Sequence, residues 1–180
     1  MSTVEKADAK IDNLKQNKDG YVYPIQTDHK LSYDAGRDQG VGIYYHDIIV
    51  PQNTELYAIT DGTVKYVTRT QNVDGTEYYR SYGFVAYFTS SDKTIEIMYA
   101  HMESAPGIAI PDLDKMPGSS NTSSTIVGTA EVTKGDVIGY SGNRGNTSGI
   151  KQDTGYHLHI EVKVNGKRVE PTTLFPDLKP

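Results

Sequence analysis

An eight-residue segment near the end of the chain limits the possible fold more than any other feature. Residues 157–164 have the sequence HLHIEVKV, in which polar and apolar residues alternate without a break. Successive side chains of a β-strand point to opposite faces of the sheet. The apolar face comprises Leu158, Ile160, Val162 and Val164, and the polar face comprises His157, His159, Glu161 and Lys163. The pattern predicts a strand with one face in a core and two imidazoles about 6–7 Å apart on the other.

The same period of two recurs along the chain from residue 21 onward. Alternating or apolar segments occupy residues 48–50, 56–59, 64–68, 82–89, 94–102 and 132–140. Turn-forming residues separate them, and Asn165-Gly166 is a strong signal for a two-residue hairpin. Short strands at regular spacing predict an all-β fold, a small antiparallel sandwich or barrel.

The first twenty residues differ from the rest. Val4, Ala7, Ile11 and Leu14 recur at helical spacing among charged and polar residues. We therefore predict a short N-terminal helix over residues 1–20 that ends near Asp19-Gly20, or a linker from a larger protein. Residues 21–180 form the predicted domain.

A second unusual segment lies between the predicted strands. Residues 106–125 are rich in Pro, Gly, Ser, Asn and Thr and have no hydrophobic period. With its flanks, about 103–130, it is predicted to be an inserted loop that follows His101 directly. It either forms a wall of a groove or is an ordinary surface loop.

Composition excludes several classes of protein. The chain has no cysteine, so disulfide frameworks and thiolate metal sites are excluded, and a metal would need His, Asp or Glu ligands. The net charge of −5 argues against a nucleic-acid-binding surface. The mean hydropathy is −0.54, and no apolar run has the length of a membrane span. The first ten residues, MSTVEKADAK, lack the apolar core of a signal peptide, so none is predicted.

Four residues stand out as candidates for chemistry before any family is considered. The alternation of His157 and His159 suits one metal ligand with a general base beside it, although two exposed histidines would give the same pattern. Tyr99 and His101 lie two apart at the end of a predicted strand, where they would polarise a carbonyl or hold an oxyanion, or else form a half-buried rim.

Taken in order, these segments resemble the lysostaphin/LytM-type zinc metallopeptidases. The resemblance extends from about Gly36 to Pro171, and the last two strands carry its most specific blocks. The matching segments are Asp47-Ile48, Tyr57-Ala58, Asp61-Gly62-Thr63-Val64, Tyr82-Gly83, Tyr99-Ala100-His101-Met102, Lys134-Gly135-Asp136-Val137-Ile138-Gly139-Tyr140-Ser141-Gly142-Asn143, His157-Leu158-His159-Ile160-Glu161-Val162, Asn165-Gly166 and Glu170-Pro171.

The resemblance implies a fold, an activity and a set of site residues. The implied fold is a small antiparallel β-domain of the LytM-peptidase type, with a narrow groove. Asp47 and His159 match zinc ligands of the family, His157 matches the general base, and His101 matches the second active-site histidine. One Zn²⁺ ion would activate a water molecule and stabilise the oxyanion together with His101. Tyr99 is our third candidate catalytic residue.

The implied substrate is the peptide part of peptidoglycan, and the implied location is extracellular, at the cell wall or envelope or in a phage virion. Targeting would depend on a protein partner or on a chain segment outside this sequence.

The sequence departs from the family at one end of its first motif. The family pattern is His-x-Gly-x-Asp, but Ile43 occupies the histidine position and Tyr45 the glycine position. Positions 43 and 47 face the same way on a strand, so Ile43 removes a ligand. His46 should face away from Asp47, and a bulge would be needed to redirect it.

His29 and Asp38 are further candidates for the missing ligand. Two hypotheses therefore remain: a zinc endopeptidase, and a catalytically inactive LytM-like structural or binding module of the cell envelope or a phage tail.

Overall fold

In the part of the chain that the structure describes, the fold consists of eleven strands in two sheets. The computed structural model describes residue 2 and residues 11–31, 45–148 and 155–178. The strands are β1 (Lys30–Leu31), β2 (Tyr45–Ile49), β3 (Glu55–Tyr57), β4 (Gly62–Val73), β5 (Thr76–Ser90), β6 (Ile95–Ala100), β7 (Met102–Ser104), β8 (Ser123–Val132), β9 (Val137–Ser141), β10 (Leu158–Val164) and β11 (Lys167–Val169). Two short 3-10 helices follow, Pro171–Thr173 and Pro176–Leu178.

The larger sheet has the order β1-β2-β10-β6-β5-β4-β8, and β11 also pairs with β10. One edge of β10 is shared: β2 pairs with residues 158–161 and β11 with residues 162–164. The smaller sheet has the order β3-β9-β7. Every pairing between these strands is antiparallel, which confirms the predicted all-β class.

The hydrophobic core lies between one face of the larger sheet and the smaller sheet. It takes Ile48 and Ile160 from the larger sheet and Leu56 and Ile138 from the smaller one, all with 2% exposure or less. Two buried tyrosine hydroxyls bind across this interface. Tyr66 donates to the Ile138 carbonyl at 2.6 Å and Tyr99 to the Tyr57 carbonyl at 2.8 Å. The core therefore occupies one face of β10 and leaves the other face free for a site.

The structure decides between the predicted sandwich and barrel, and it corrects the prediction for the N-terminal segment. The larger sheet does not close into a barrel, since within the described ranges β1 and β8 are its two ends and do not pair. Residues 11 and 12 are helical, but helix does not extend to Asp19-Gly20. Gln16 instead forms an isolated bridge with Val22. The remainder of the predicted N-terminal helix falls largely outside the described residues.

The predicted insertion is partly a strand. Residues 123–132 form β8, which pairs with β4 from Gly62 to Thr70. The strand was not predicted because the segment is rich in Ser and Thr and has no hydrophobic period. It lies at the edge of the sheet, where exposed threonines are well tolerated. Only the stretch between β7 and β8 remains largely irregular. None of the helical segments in the described part of the chain has the length and apolarity needed to cross a membrane.

Candidate functional site

A buried carboxylate–imidazole pair lies on the face of the larger sheet that is turned away from the core. The register of β2 and β10 places Asp47 directly opposite His159, although the two residues are 112 positions apart in the sequence. Asp47 Oδ1 lies 2.7 Å from His159 Nδ1. Strand alternation sends the neighbours Ile48 and Leu158 into the core and keeps this pair on the opposite face.

His157 precedes β10 and faces the same carboxylate. Its Nδ1 lies 2.7 Å from the Gly155 carbonyl oxygen, so this nitrogen carries the proton and donates it to the carbonyl. The other ring nitrogen, Nε2, lies 3.6 Å from Asp47 Oδ1. In its neutral form, His157 therefore presents an unprotonated nitrogen to the site.

His101 reaches the site through an unusual backbone conformation. Its φ is +58°, in the left-handed region that non-glycine residues seldom adopt. This turn ends β6, directs the His101 ring away from the core, and lets its backbone N–H donate to the Tyr82 carbonyl at 3.0 Å. The ring centroid lies 4.7 Å from that of His157. Nδ1 donates to the Arg144 carbonyl at 2.7 Å, so Nε2 is again the free nitrogen.

Two glycines bring the Arg144 carbonyl to His101. Gly83 in β5 has φ +64° and Gly145 has φ +85°. A Cβ atom at Gly83 would collide with the Arg144 carbonyl, and one at Gly145 would collide with the Ser81 carbonyl. The backbone of residues 144–146 therefore packs directly on β5, and the Asn146 N–H donates to the Ser81 carbonyl at 2.7 Å.

Glu161 completes the polar cluster, and the sequence analysis assigned it no role. Its Oε1 lies 3.0 Å from His159 Nε2 and accepts a hydrogen bond from the Tyr82 hydroxyl at 3.3 Å. Both nitrogens of His159 are thus bound to carboxylates. The signal was present in the strand alternation, which places Glu161 beside His159 on the polar face.

Tyrosine rings flank the His159 imidazole. The Tyr45 ring stacks on it at a centroid distance of 5.0 Å and an angle of 24°. The Tyr82 ring lies 5.1 Å away. Tyr45 occupies the position where the family motif has glycine, so its bulk here covers His159.

The surroundings give the three histidines different pKa values. Burial, together with the charges of His157 and His159, lowers the pKa of His101 to about 3. Burial also lowers the pKa of His157, and Asp47 opposes this shift. Burial alone would lower the pKa of His159 as well, but the hydrogen bonds and charges of Asp47 and Glu161 raise it to about 9. In the metal-free site, His159 is therefore the protonated histidine and the other two are neutral.

The structure separates three of the sequence-based candidates from this cluster. Tyr99 was expected to share a face with His101, but it is fully buried on the core face and donates to the Tyr57 carbonyl. The expectation was wrong because the left-handed turn at His101 interrupts the alternation. His46 faces away from Asp47, as expected, and lies 3.5 Å from Glu170. His29 does not line the cavity onto which Asp47 and the three histidines open. Asp38 and Ile43 lie outside the described residues.

The four remaining residues open onto one cavity of about 530 Å³. Asp47, His101, His157 and His159 all line it, together with Tyr45, Tyr82, Glu161, Arg168, Ser81, Ser119, Asn146 and Thr147. Ser119 comes from the predicted insertion, so part of that segment does form a wall of the cavity.

Comparison with solved structures identifies the fold. A candidate M23 peptidase from Pseudomonas aeruginosa aligns with 95% of this chain at 19% identity and a TM-score of 0.50. The chain has the M23 peptidase fold. It spans 58% of the Pseudomonas chain, so further parts of that protein have no counterpart in this alignment.

Two other solved structures are similar at lower scores. A zinc-containing peptidase from Vibrio cholerae aligns over 87% of this chain and 39% of its own, at 17% identity and a TM-score of 0.47. Lysostaphin from Staphylococcus simulans aligns over 83% of this chain and 50% of its own, at 18% identity and a TM-score of 0.48. No family model and no curated protein matched the sequence.

The M23 fold raises the question of a zinc ion at this site. The donors are of the right kind, since zinc takes imidazole nitrogen and carboxylate oxygen. Nδ1 of His159 and Oδ1 of Asp47 point at each other, and Glu161 binds the second nitrogen of His159. A carboxylate behind a metal-binding histidine is the usual arrangement in zinc proteins. Within the described ranges, however, no three His, Asp or Glu side chains are arranged as a complete set of ligands.

Proposed function

We propose that the chain is a zinc endopeptidase of the M23 type that hydrolyses peptide bonds in peptidoglycan. The observation that supports this most directly is the convergence of Asp47, His101, His157 and His159 on one cavity. The four residues come from three separate parts of the sequence, and a module without catalysis would have no need to bring them together.

Zinc would be held by Asp47 and His159, the two residues that match ligands of the family. Catalytic zinc sites use three protein ligands and leave one position for water or substrate. When bound, the ion would lower the pKa of a water molecule and polarise the substrate carbonyl. The proton shared by Asp47 and His159 in the metal-free site would leave when the metal binds, since both ligands bind in their deprotonated forms.

His157 is suited to accept a proton during hydrolysis. The Gly155 carbonyl fixes its tautomer, so its free Nε2 faces the cavity. Burial lowers its pKa and keeps it unprotonated at neutral pH. It would take a proton at Nε2 and later return it to the leaving amine.

His101 faces the cavity in the same protonation state. With Nδ1–H bound to the Arg144 carbonyl, it is a proton acceptor at Nε2 and donates a hydrogen bond to an oxyanion only after gaining a proton. On this proposal, the oxyanion role that the resemblance implies for His101 requires prior proton transfer to its ring.

The proposed substrate indicates where the protein would act. Peptidoglycan is met at the cell wall or envelope, or by a phage virion that reaches the wall. The acidic chain has no evident electrostatic attraction to a polyanionic wall, so we propose that targeting depends on a partner or on a segment outside this sequence.

Metal analysis combined with a hydrolysis assay tests the proposal. Protein stripped with a chelator and reloaded with zinc should contain close to one zinc ion per chain and release peptides from purified peptidoglycan, detected by mass spectrometry. His159→Ala should lose the metal, whereas His157→Ala should keep it and lose hydrolysis by roughly 10²–10⁴-fold. Lys167→Ala, an exposed change on β11, serves as the control and should retain both properties.

Protein that binds no zinc and releases no peptide under these conditions would contradict the proposal. That result would favour the inactive-module hypothesis instead.

A further inference from the structure

A second, smaller cavity adjoins the catalytic one on the same face of the larger sheet. It has a volume of about 190 Å³ and is bounded by side chains of β4, β5, β6, β10 and β11. Three residues line both cavities: Tyr82, Glu161 and Arg168. The two cavities are therefore adjacent, with the Tyr82, Glu161 and Arg168 side chains at their boundary, so a substrate that extends from the histidines along this face would reach the smaller one.

The smaller cavity contains three basic and two acidic side chains. Glu161 is bound by His159 at 3.0 Å and lies 3.4 Å from Arg168. Lys163 and Glu96 are direct register partners on β10 and β6. These four charges thus have opposite charges as neighbours. The remaining cation, Arg69, forms no ion pair with any residue in the described ranges.

Arg69 is held in place by aromatic side chains rather than by a carboxylate. Its Nη2 donates to the Tyr87 hydroxyl at 3.0 Å, and its guanidinium carbon lies 5.9 Å from the centroid of the Tyr82 ring. Its Nε–H is buried and has no hydrogen-bond partner among the described residues. A buried donor without a partner is costly, so the protein leaves the hydrogen-bonding capacity of the Arg69 guanidinium incompletely satisfied, and the partly exposed Arg69 side chain lines the smaller cavity.

The backbone explains why Arg69 reaches this position. The pairing of β4 with β5 shifts register between Thr68 and Thr70, so Arg69 has no direct partner across the strand pair. On the opposite strand, Ser81 and Gly83 both have positive φ. Such irregularities bend strands and redirect side chains, and here they bring Tyr82 between Arg69 and His159.

We infer that Arg69 binds a carboxylate of the peptide substrate, on one side of the scissile bond. This inference rests on the proposed function, because it assigns the class of substrate for the same site. The Tyr82 ring lies 5.1 Å from His159 and 5.9 Å from the guanidinium, which places Arg69 within about 11 Å of His159. An extended peptide covers that distance with about three residues. The carboxylate is therefore expected no more than about three residues from the bond that is cut.

Binding of matched peptides to the metal-stripped 180-residue chain tests the inference without turnover. The probes are soluble peptidoglycan peptides with free carboxyl groups, the same peptides amidated at the C-terminus, and the same peptides amidated at the side chains. The free acid should bind about 10–100-fold more tightly than one of the two amides, as expected for a charge-assisted hydrogen bond. The amide that loses affinity identifies which carboxylate is bound.

Variants assign this preference to Arg69. Arg69→Gln should abolish the difference between acid and amide, while Arg69→Lys should keep part of it because the charge remains. Lys167→Gln makes the same charge change on an exposed site and should keep the full preference. An Arg69→Gln variant that still discriminates as the wild type does would overturn the inference, and so would a wild type that binds acid and amides equally.

The two proposals fail in different ways. Discrimination in the binding assay without any hydrolysis by zinc-loaded protein would contradict the proposed peptidase while supporting the carboxylate subsite. Hydrolysis that is equally efficient on acids and amides would contradict only the subsite.

Discussion

At the scale of single residues, the His159 imidazole determines the character of the site. It lies between Asp47 at 2.7 Å and Glu161 at 3.0 Å, and two tyrosine rings cover it. One carboxylate faces the proposed metal position and the other lies behind the ring. Glu161 would therefore influence the proposed metal site through its contact with His159, without touching the metal itself.

Replacing Glu161 with Gln should weaken zinc binding by about 10–100-fold, because the carboxylate that orients His159 and increases its basicity is lost. Competition with a chromophoric chelator measures the affinity. Glu96→Gln is the matched control. Glu96 is an exposed residue on the adjacent strand β6 and lines the smaller cavity, as Glu161 does. Equal affinities for the two variants would show that Glu161 has no supporting role.

The sequence difference at position 43 leads to a second prediction at this scale. The family resemblance implies a histidine ligand where this chain has isoleucine. Ile43→His should therefore increase zinc affinity at least about tenfold, because an imidazole is added to Asp47 and His159 as a third protein ligand. Ile43→Ala removes the same side chain without adding a donor. Similar zinc affinities for the His and Ala variants would contradict the implied ligand position.

At the scale of secondary-structure elements, the contact between β5 and residues 144–146 positions His101. This contact is made backbone to backbone, through Gly83 and Gly145. The Arg144 carbonyl that fixes the His101 tautomer is presented by this contact. Because no side chains separate the two backbones, the irregular loop at residues 144–146 packs as closely on β5 as a neighbouring strand would.

Gly83→Ala should destabilise the protein and lower hydrolysis together, because the added methyl group would displace Arg144. Gly75→Ala is the control: Gly75 also has positive φ, at +86°, but nothing lies within 4 Å of a Cβ there. The control should lose only about 1–2 kcal/mol for the left-handed conformation. Chemical denaturation measures both variants, and equal losses would show that the contact contributes nothing beyond backbone conformation.

At the scale of the whole molecule, buried tyrosines connect the two sheets through the core. Burial raises the pKa of Tyr66 to about 12 and also raises the pKa of Tyr99. Both hydroxyls donate to backbone carbonyls of the smaller sheet. The junction between the two layers thus depends on neutral phenols.

The free energy of unfolding should therefore fall in alkaline solution. A pKa raised in the folded state gives a contribution that is fully present below the unfolded value near 10 and is lost as the pH rises through about 12. Denaturant midpoints at pH 9 and pH 11, with tyrosinate absorbance recorded in parallel, measure the effect. Tyr66→Phe should lose about 0.5–1.5 kcal/mol at neutral pH and show a weaker alkaline decline. An unchanged alkaline decline in Tyr66→Phe would contradict this account.

Much of this arrangement was determined by the sequence alone. The alternation in residues 157–164 defines a strand, its core face and the shared face of His157 and His159, since side-chain direction in a strand depends only on parity. The same rule correctly turned His46 away from Asp47. The motif order indicated the M23-type fold, and the roles of Asp47, His101, His157 and His159 remain predictions.

The tertiary structure decided those features that do not follow from the alternation of side chains along a strand. Because of the left-handed turn at His101, Tyr99 lies in the core while His101 lies in the site. Because the register of β4 shifts, Arg69 has no direct partner on β5 and lies against Tyr82. The Asp47–His159 pair depends on the register between strands 112 residues apart. Such features arise from long-range packing and local backbone strain, which leave no periodic trace in the sequence.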